Sequence, residues 1–302
     1  MTRNNTKLSE RIFNGKNIVI AIPFIWLLIL FLFPFLIVLK ISFAEYIIAI
    51  PPFSSFFLWD DTFWPTIQAS LYNYKFILED SLYITAYLSS LKVAIISTMI
   101  TLVIGYAIAY SIAKAPTRWR GILLMLVILP FWTSFLIRVY AWIGILKTEG
   151  LLNLFLLSTG IIDQPLTIMN TNLAVYIGIV YSYLPFMILP IYANIEKLDV
   201  SLIEAASDLG CRPFKAFWSI TIPLSMPGIL AGCFLVFIPA VGEFVIPDLL
   251  GGTETLMIGK VLWLEFFANR DWPLASAVAV ILLALLILPI MYYQKMQEKT
   301  LT

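Results

Sequence analysis

Ser201-Leu202-Ile203-Glu204-Ala205-Ala206-Ser207-Asp208-Leu209-Gly210, followed by Pro213 and by Ile220-Thr221-Ile222-Pro223, is the stretch from which the rest of this chain is best read. It lies in a polar-tolerant island, Asn194 to Leu224, within a chain that is otherwise mostly apolar. Ser201 to Glu204 fits S-x-x-E, a capping box in which each side chain takes an amide hydrogen of the other residue. Leu202, Ala205, Ala206 and Leu209 recur at helical spacing. Gly210 ends that helix, where a left-handed backbone is cheap only for glycine. Pro213 suits the first turn of a second helix, with Phe214, Phe217 and Trp218 on its apolar face and Ile222-Pro223 at its end. The island therefore reads as a helix, a glycine turn and a second helix at a membrane surface. Its caps alone leave two roles open, a link between spans or a docking element, and Glu204 is either a cap or a contact.

Outward from the island the chain becomes membrane. Of its 302 residues 61% are hydrophobic and only 12% charged, against about 25% charged in a soluble domain. The apolar runs are long and do not alternate, which favours helices over barrel strands. Six spans are expected: Ile18–Leu39, Leu82–Ala113, Gly121–Leu146 with a kink at Pro130, Asn172–Ala193 broken by Pro185 and Pro190, Met226–Ile246, and Pro273–Tyr293. The first is too long for a signal-peptide core and lacks a small-x-small cleavage site, so it reads as retained. Six spans place both termini on one side. Twelve of the nineteen Lys/Arg lie in the N-terminal segment, the 114–120 loop, the island and the C-terminal tail, which makes these segments cytoplasmic. The domain reading is a cytoplasmic tail over 1–16, a six-helix domain over 17–293 with an inner loop at 194–224, and a second tail over 294–302. Eleven of the eighteen Asp/Glu fall in the outer segments 44–81, 147–171 and 247–272. They are either solvated loops or an outer mouth that attracts cations by field focusing. The Pro51-Pro52 pair and nearby aromatic residues suggest that 44–81 lies partly on the outer interface.

Several function classes drop out. A net charge of +1 gives no basic signature for nucleic acid, and the chain has no histidine, hence neither the commonest general base nor the commonest transition-metal ligand. Its two cysteines, Cys211 and Cys233, fall at or near the inner side on this topology, which supports neither a disulfide framework nor a zinc site. No G-x-x-x-x-G-K-[S/T] run is present, so this chain does not hydrolyse ATP through a Walker loop.

The spacing in the island resembles the EAA loop of ABC importer permeases. The matching positions are Glu204, Ala205, Ala206, Gly210, Ile220 and Pro223, with Ile222 where leucine is usual. The resemblance implies a type I ABC importer permease fold, in which this loop is a coupling helix that docks into a cleft on a separate ATPase. Pro130 to Arg138, Ile162 to Leu166, Gly242 to Gly252 and Asn269 to Pro273 look like polyamine importer permeases. The Gly242-Glu243-Phe244-Val245-Ile246-Pro247 run looks most like the putrescine type. The family implies a heterodimer with a second permease subunit, two cytoplasmic ATPase subunits, a periplasmic polyamine-binding protein and the lipid of a bacterial inner membrane. ATP and Mg belong to the partner ATPase, and no cofactor or metal is expected on this chain.

Ionisable groups within spans cost ~2.5–3.5 kcal/mol each on insertion scales, so three ask for a reason. Lys92 snorkels or pairs. Arg138 pairs with Glu243 or with an acidic loop residue, as a structural bond or a gate latch. Glu243, near the outer end of a span loosened by glycine and proline, holds an ammonium group, pairs with Arg138 or Lys92, or sits at a solvated loop edge. Asp248 is a weaker second carboxylate. Trp132, Tyr140, Trp142, Tyr181, Tyr183 and Trp263 belong to the interfacial belt and helix packing, or in part to a path that steadies an alkylammonium by cation–π contact. The function expected is passage of a polyamine, putrescine first, by alternating access. The alternatives are the same machine for spermidine or another small solute, and, with less support, a secondary transporter or a membrane enzyme.

Overall fold

Hydrocarbon offers no partner to a backbone N–H or C=O, so a chain this apolar is left with helices or a closed barrel. The computed structural model describes residues 15–55, 57–58, 66–67, 69–252 and 255–301, and their regular structure is almost wholly helical. Arg3, Lys7, Arg11, Asp60, Asp61 and Glu254 lie outside the described residues. In chain order, α1 comprises Gly15–Leu27 and Phe33–Ser42 around a π turn at Leu28–Leu32, and the short strands β1 (Phe57–Leu58) and β2 (Thr66–Ile67) pair antiparallel. There follow α2 (Tyr72–Glu79), α3 (Ser81–Lys114), α4 (Thr117–Ile128), α5 (Phe135–Leu146), α6 (Leu151–Ser158), α7 (Asn172–Ile195) and α8 (Val200–Asp208). The chain continues through α9 (Pro213–Val241), α10 (Val245–Leu249), α11 (Ile258–Trp263) and α12 (Trp272–Leu301). Among the described residues five segments are long and apolar enough to cross a membrane: Val19–Ser42, Ser81–Lys114, Phe135–Ser158, Asn172–Ile195 and Pro213–Val241; Trp272–Leu288 is a shorter apolar helix.

Three expectations need correction, and all concern proline. Pro130 does not merely kink a span over 121–146. It closes α4 in a 3₁₀ turn at Leu129–Trp132, after which Thr133 and Ser134 are extended and α5 starts afresh. The Thr133 hydroxyl donates to the Pro130 carbonyl at 2.8 Å, serving an acceptor left free by the break. The apolar helical run then reaches Ser158, so the expected outer segment 147–171 contains α6. Pro185 and Pro190, by contrast, do not break α7, which is continuous across both. Nor does Pro223 end a separate second helix of the island. A π turn at Phe217–Thr221, with the Ile222 N–H on the Phe217 carbonyl, carries the helix through into α9. The wider turn falls just before the proline, where the chain has no N–H to offer.

The described residues form two compact units, one from the first eighty residues with those after Trp263, the other Ser81–Trp263. In the first, α1 lies against α12. Asn73 on α2 is buried and donates to the carbonyls of Ser42 and Ala44 at 3.0 and 2.9 Å, so part of the long 44–81 segment is tied to the end of α1.

In the second unit α3, α7 and α9 pack pairwise against one another. Tyr106, Ala109 and Ile112 of α3 meet Met187, Ile188 and Ile191 of α7, with Ile229 and Val236 of α9 closing the cluster. Met187 is the knob at the centre. A Cβ on Gly105 of α3 would lie 2.8 Å from its Cγ, and one on Gly232 of α9 would lie 2.7 Å from its Sδ. Lipid tails are as apolar as these side chains, so close backbone approach and dispersion, rather than escape from water, hold the three helices together. Gly232→Val should therefore destabilise the protein by about 1–3 kcal/mol through overpacking. Thermal unfolding of the purified protein in detergent checks this, with Ala231→Val, on the exposed side of the same helix, left near the wild-type midpoint.

Candidate functional site

The island folds as a hairpin with each cap identifiable. Asp199 is the N-cap of α8, and its carboxylate accepts from the Ser201 N–H at 2.9 Å. This corrects the expected capping box, because the amide that Glu204 was to reach is already taken by a side chain two residues upstream. The same hydrogen bond holds the Asp199 carboxyl below its ordinary range. At the other end Gly210 has φ +79°. Its N–H reaches the Ser207 carbonyl and the Cys211 N–H reaches the Ala206 carbonyl, both at 2.9 Å, which is the Schellman pattern. Arg212 precedes Pro213 at the start of α9, as the sequence anticipates. Glu204 and Ala205 are exposed and Ala206 half-buried, while Leu202 and Leu209 stand out into solvent, Leu209 by 89%. Ile220 is half-buried and Pro223 exposed. Beneath α8 lies a cavity of about 190 Å³ between Val200, Ile203 and the inner ends of α3 and α7. At its edge Arg120 pairs with Glu196 at 3.7 Å and donates from Nε to the Ala115 carbonyl at 2.9 Å, joining the 114–120 loop to the foot of α7.

At the far end of α9 the structure brings two of the candidate path residues together. Glu243 is only 7% exposed. Its Oε1 accepts from the N–H groups of Phe244 and Val245 at 3.1 and 3.0 Å, and more weakly from Ile246 at 3.4 Å. Its Oε2 accepts the Tyr183 hydroxyl hydrogen at 2.5 Å. These N–H groups open α10, where no earlier turn can take them. The carboxylate thus caps α10 and fastens it to α7. The ion pair with Arg138 that the sequence offered as one reading is not formed. Arg138 lies over the Phe131 ring at 4.6 Å and near Phe135 at 5.8 Å, with Nε and Nη1 buried and without hydrogen-bond partners. Asp248 is held by Lys260 at 3.0 Å. Lys92 is exposed on α3 and, among the described residues, in no ion pair. Trp132 and Tyr140 are 71% and 58% exposed. Trp142 packs edge-on against Tyr181, and Trp263 stacks on Phe244. Sequence reasoning missed the Tyr183–Glu243 bond, for which no local pattern exists. It also missed the Asp199 cap, which the Asp-Val-Ser order does contain.

This arrangement, a capped inner hairpin continuous with a long helix that ends in a capped carboxylate, sits in a chain whose residues 101–302 match the family described as binding-protein-dependent transport system inner membrane component. The chain belongs to that family. It is an ABC importer permease, a multi-pass protein of the bacterial inner membrane. This permease is 43% identical over 287 residues to the spermidine/putrescine transport system permease protein PotB of Haemophilus influenzae, covering 94% of this chain and 96% of that one. It is 47% identical over 240 residues to PotB of Escherichia coli, covering 80% and 87%. Among solved structures, its fold matches that of a bacterial ABC transporter involved in the import of the acidic polysaccharide alginate, with a TM-score of 0.72 over 97% of this chain and 99% of that one, at 15% identity. The Gly242–Pro247 run pointed to the putrescine type, whereas the names of these relatives carry spermidine and putrescine together.

Two outcomes follow from the caps. Glu243→Ala leaves the first amides of α10 and the Tyr183 hydroxyl without an acceptor, so it should lower stability by about 2–3 kcal/mol, and Tyr183→Phe by about 1 kcal/mol. A double-mutant cycle on thermal unfolding in detergent should show the two effects to be non-additive. Because the folded-state value of Asp199 is depressed, its contribution is present above the ordinary aspartate range and is lost as pH falls through the folded value. Hydrogen exchange at the Ser201 amide should lose protection at acid pH in the wild type, and at neutral pH in Asp199→Leu.

Proposed function

We propose that this permease passes a polyamine inward, putrescine among its substrates, as one membrane subunit of an ATP-driven importer working by alternating access. The observation that carries the reading is the resemblance to the spermidine/putrescine permeases across nearly the whole chain, at 43% identity. The partners are a second permease subunit, two cytoplasmic ATPase subunits that hold ATP and Mg, and a periplasmic polyamine-binding protein. Segments 1–16 and 294–302 are the cytoplasmic tails and 194–224 the coupling loop. In that loop Glu204, Ala205, Ala206, Gly210, Ile220 and Pro223 form or support the ATPase contact. The Ala pair lets α8 seat closely, and exposed Leu202 and Leu209 supply apolar surface for a cleft.

At the outer side, the bonds that Glu243 accepts from Tyr183 and from the first amides of α10 give it first a positioning role. It fixes the junction of α9 and α10, and an ammonium group passing this point competes with Tyr183 for the carboxylate. Asp248, Trp132 and Tyr140 remain the more accessible candidates along the path, with Arg138 and Lys92 as the charges that a cation must pass.

The test is uptake of labelled putrescine and spermidine by cells lacking their own importers and carrying this chain with its neighbouring transporter subunits. Putrescine accumulation is expected. Spermidine uptake alone would remove putrescine, and uptake of neither would overturn the polyamine reading. In the same cells Gly210→Pro should abolish uptake while the protein still inserts, because proline holds φ near −65° and Gly210 requires +79°. Normal uptake by this variant would remove the coupling role of the loop.

A further inference from the structure

Outside the hairpin and the Glu243 cap, an apolar concavity of the second unit runs between α3 and the first half of α9, with a volume of about 510 Å³. Each wall is one helical stripe. Leu102, Tyr106 and Tyr110 succeed one another at four-residue spacing on α3, and Trp218, Ile222 and Met226 do so on α9. From residue 102 to residue 110 the groove is about 12 Å long at 1.5 Å per residue.

Both stripes end in a lysine at the same end of the groove. Lys114 is one turn beyond Tyr110, with Nζ 5.8 Å from the centre of that ring. Lys215 is three residues before Trp218, one turn back along α9 and on the same face. Both ammonium groups are exposed, and among the described residues neither has a carboxylate within ion-pairing distance. The nearby Arg120 is already taken by Glu196. One helical turn beyond the Tyr110 and Trp218 end of this apolar groove thus stand Lys215 and Lys114, the latter also at the rim of the cavity that Glu196 lines.

We infer that this groove binds one anionic glycerophospholipid of the inner leaflet, with an acyl chain between the two stripes and the headgroup phosphate against Lys114 and Lys215. The chemistry fits in both halves. The stripes offer the hydrocarbon no competing hydrogen-bond donors apart from the aromatic rims, and the Tyr106 hydroxyl is already bonded to Ser225 at 3.1 Å. The two lysines offer point charges at headgroup depth, each worth about a factor of five towards an anionic surface. Since α9 continues from the hairpin, the bound lipid would brace the foot of the helix that receives the hairpin's motion.

Trp218 lines the groove and reports on its occupant. The intact permease is placed in mixed micelles with phosphatidylglycerol or phosphatidylcholine carrying brominated acyl chains, and tryptophan quenching is followed. The component attributable to Trp218 is the difference from Trp218→Phe. Half-quenching by the brominated phosphatidylglycerol is expected at about a 25-fold lower mole fraction than by the phosphatidylcholine, a factor of about five for each lysine. The double variant Lys114→Gln/Lys215→Gln should abolish that preference while leaving quenching by phosphatidylcholine unchanged. Equal quenching by the two lipids in the wild type, a preference that survives the double variant, or no Trp218-dependent quenching by either lipid would each overturn the assignment; the last would mean that protein covers the groove.

Discussion

The side chain of Met187 stands between two glycines. Gly105 on one side and Gly232 on the other leave just the room that its thioether and methylene groups occupy, and that junction sets the spacing of α3, α7 and α9. In a bilayer this kind of fit has to do the work that water exclusion does in a soluble core. The consequence is visible along the rest of the three helices. Buried residues on α3 and α7 recur at helical spacing on the faces that meet; Thr101 bonds to the Ser97 carbonyl and Tyr106 pairs with Ser225, while the hydroxyls of Ser97 and Thr98 are buried without a hydrogen-bond partner.

Where the helices stop, the backbone is satisfied by specific side chains. Asn153 is the clearest case outside the two sites. Buried on α6, it donates to the carbonyls of Lys147, Thr148 and Leu166 and accepts from the Leu166 N–H. One amide group thus organises both ends of a segment that composition alone marks only as a connection. Asn73 plays the same part before α3, Asp199 at the start of α8 and Glu243 at the start of α10. The polar side chains at these ends are bound mainly to main chain, as expected where unpaired backbone groups are expensive.

This division explains what was legible in the sequence. The membrane class, the runs that became α1, α3, α7 and α9, the left-handed Gly210 and the Pro213 start all follow from period, length and residue type. They depend on neighbours in the chain. The fate of each proline did not follow, because it rests on what packs beside it. Pro185 and Pro190 sit inside an intact helix flanked by two others, whereas Pro130 ends α4, and Pro223 is passed by a π turn. The same holds for charge. Glu243 was correctly singled out as a carboxylate needing a reason, but its partners are its own next residues and a tyrosine sixty positions away. Arg138, offered to it on grounds of charge, rests on an aromatic ring instead. Electrostatic pairing guessed from a list of ions overlooks that a helix start is itself a source of positive potential.

One feature of the hairpin has mechanical meaning. Because α9 runs on for 29 residues from Pro213, the segment is a rod of about 43 Å at 1.5 Å per residue. A rod transmits displacement without diluting it. Its regular ladder is interrupted by the π turn at Phe217–Thr221, one turn from Pro213, and again by Pro227 and Pro239, which carry no N–H. The hydrogen-bond pattern at the π turn therefore sets the direction in which the rest of α9 runs, up to the Glu243 cap where it hands over to α10.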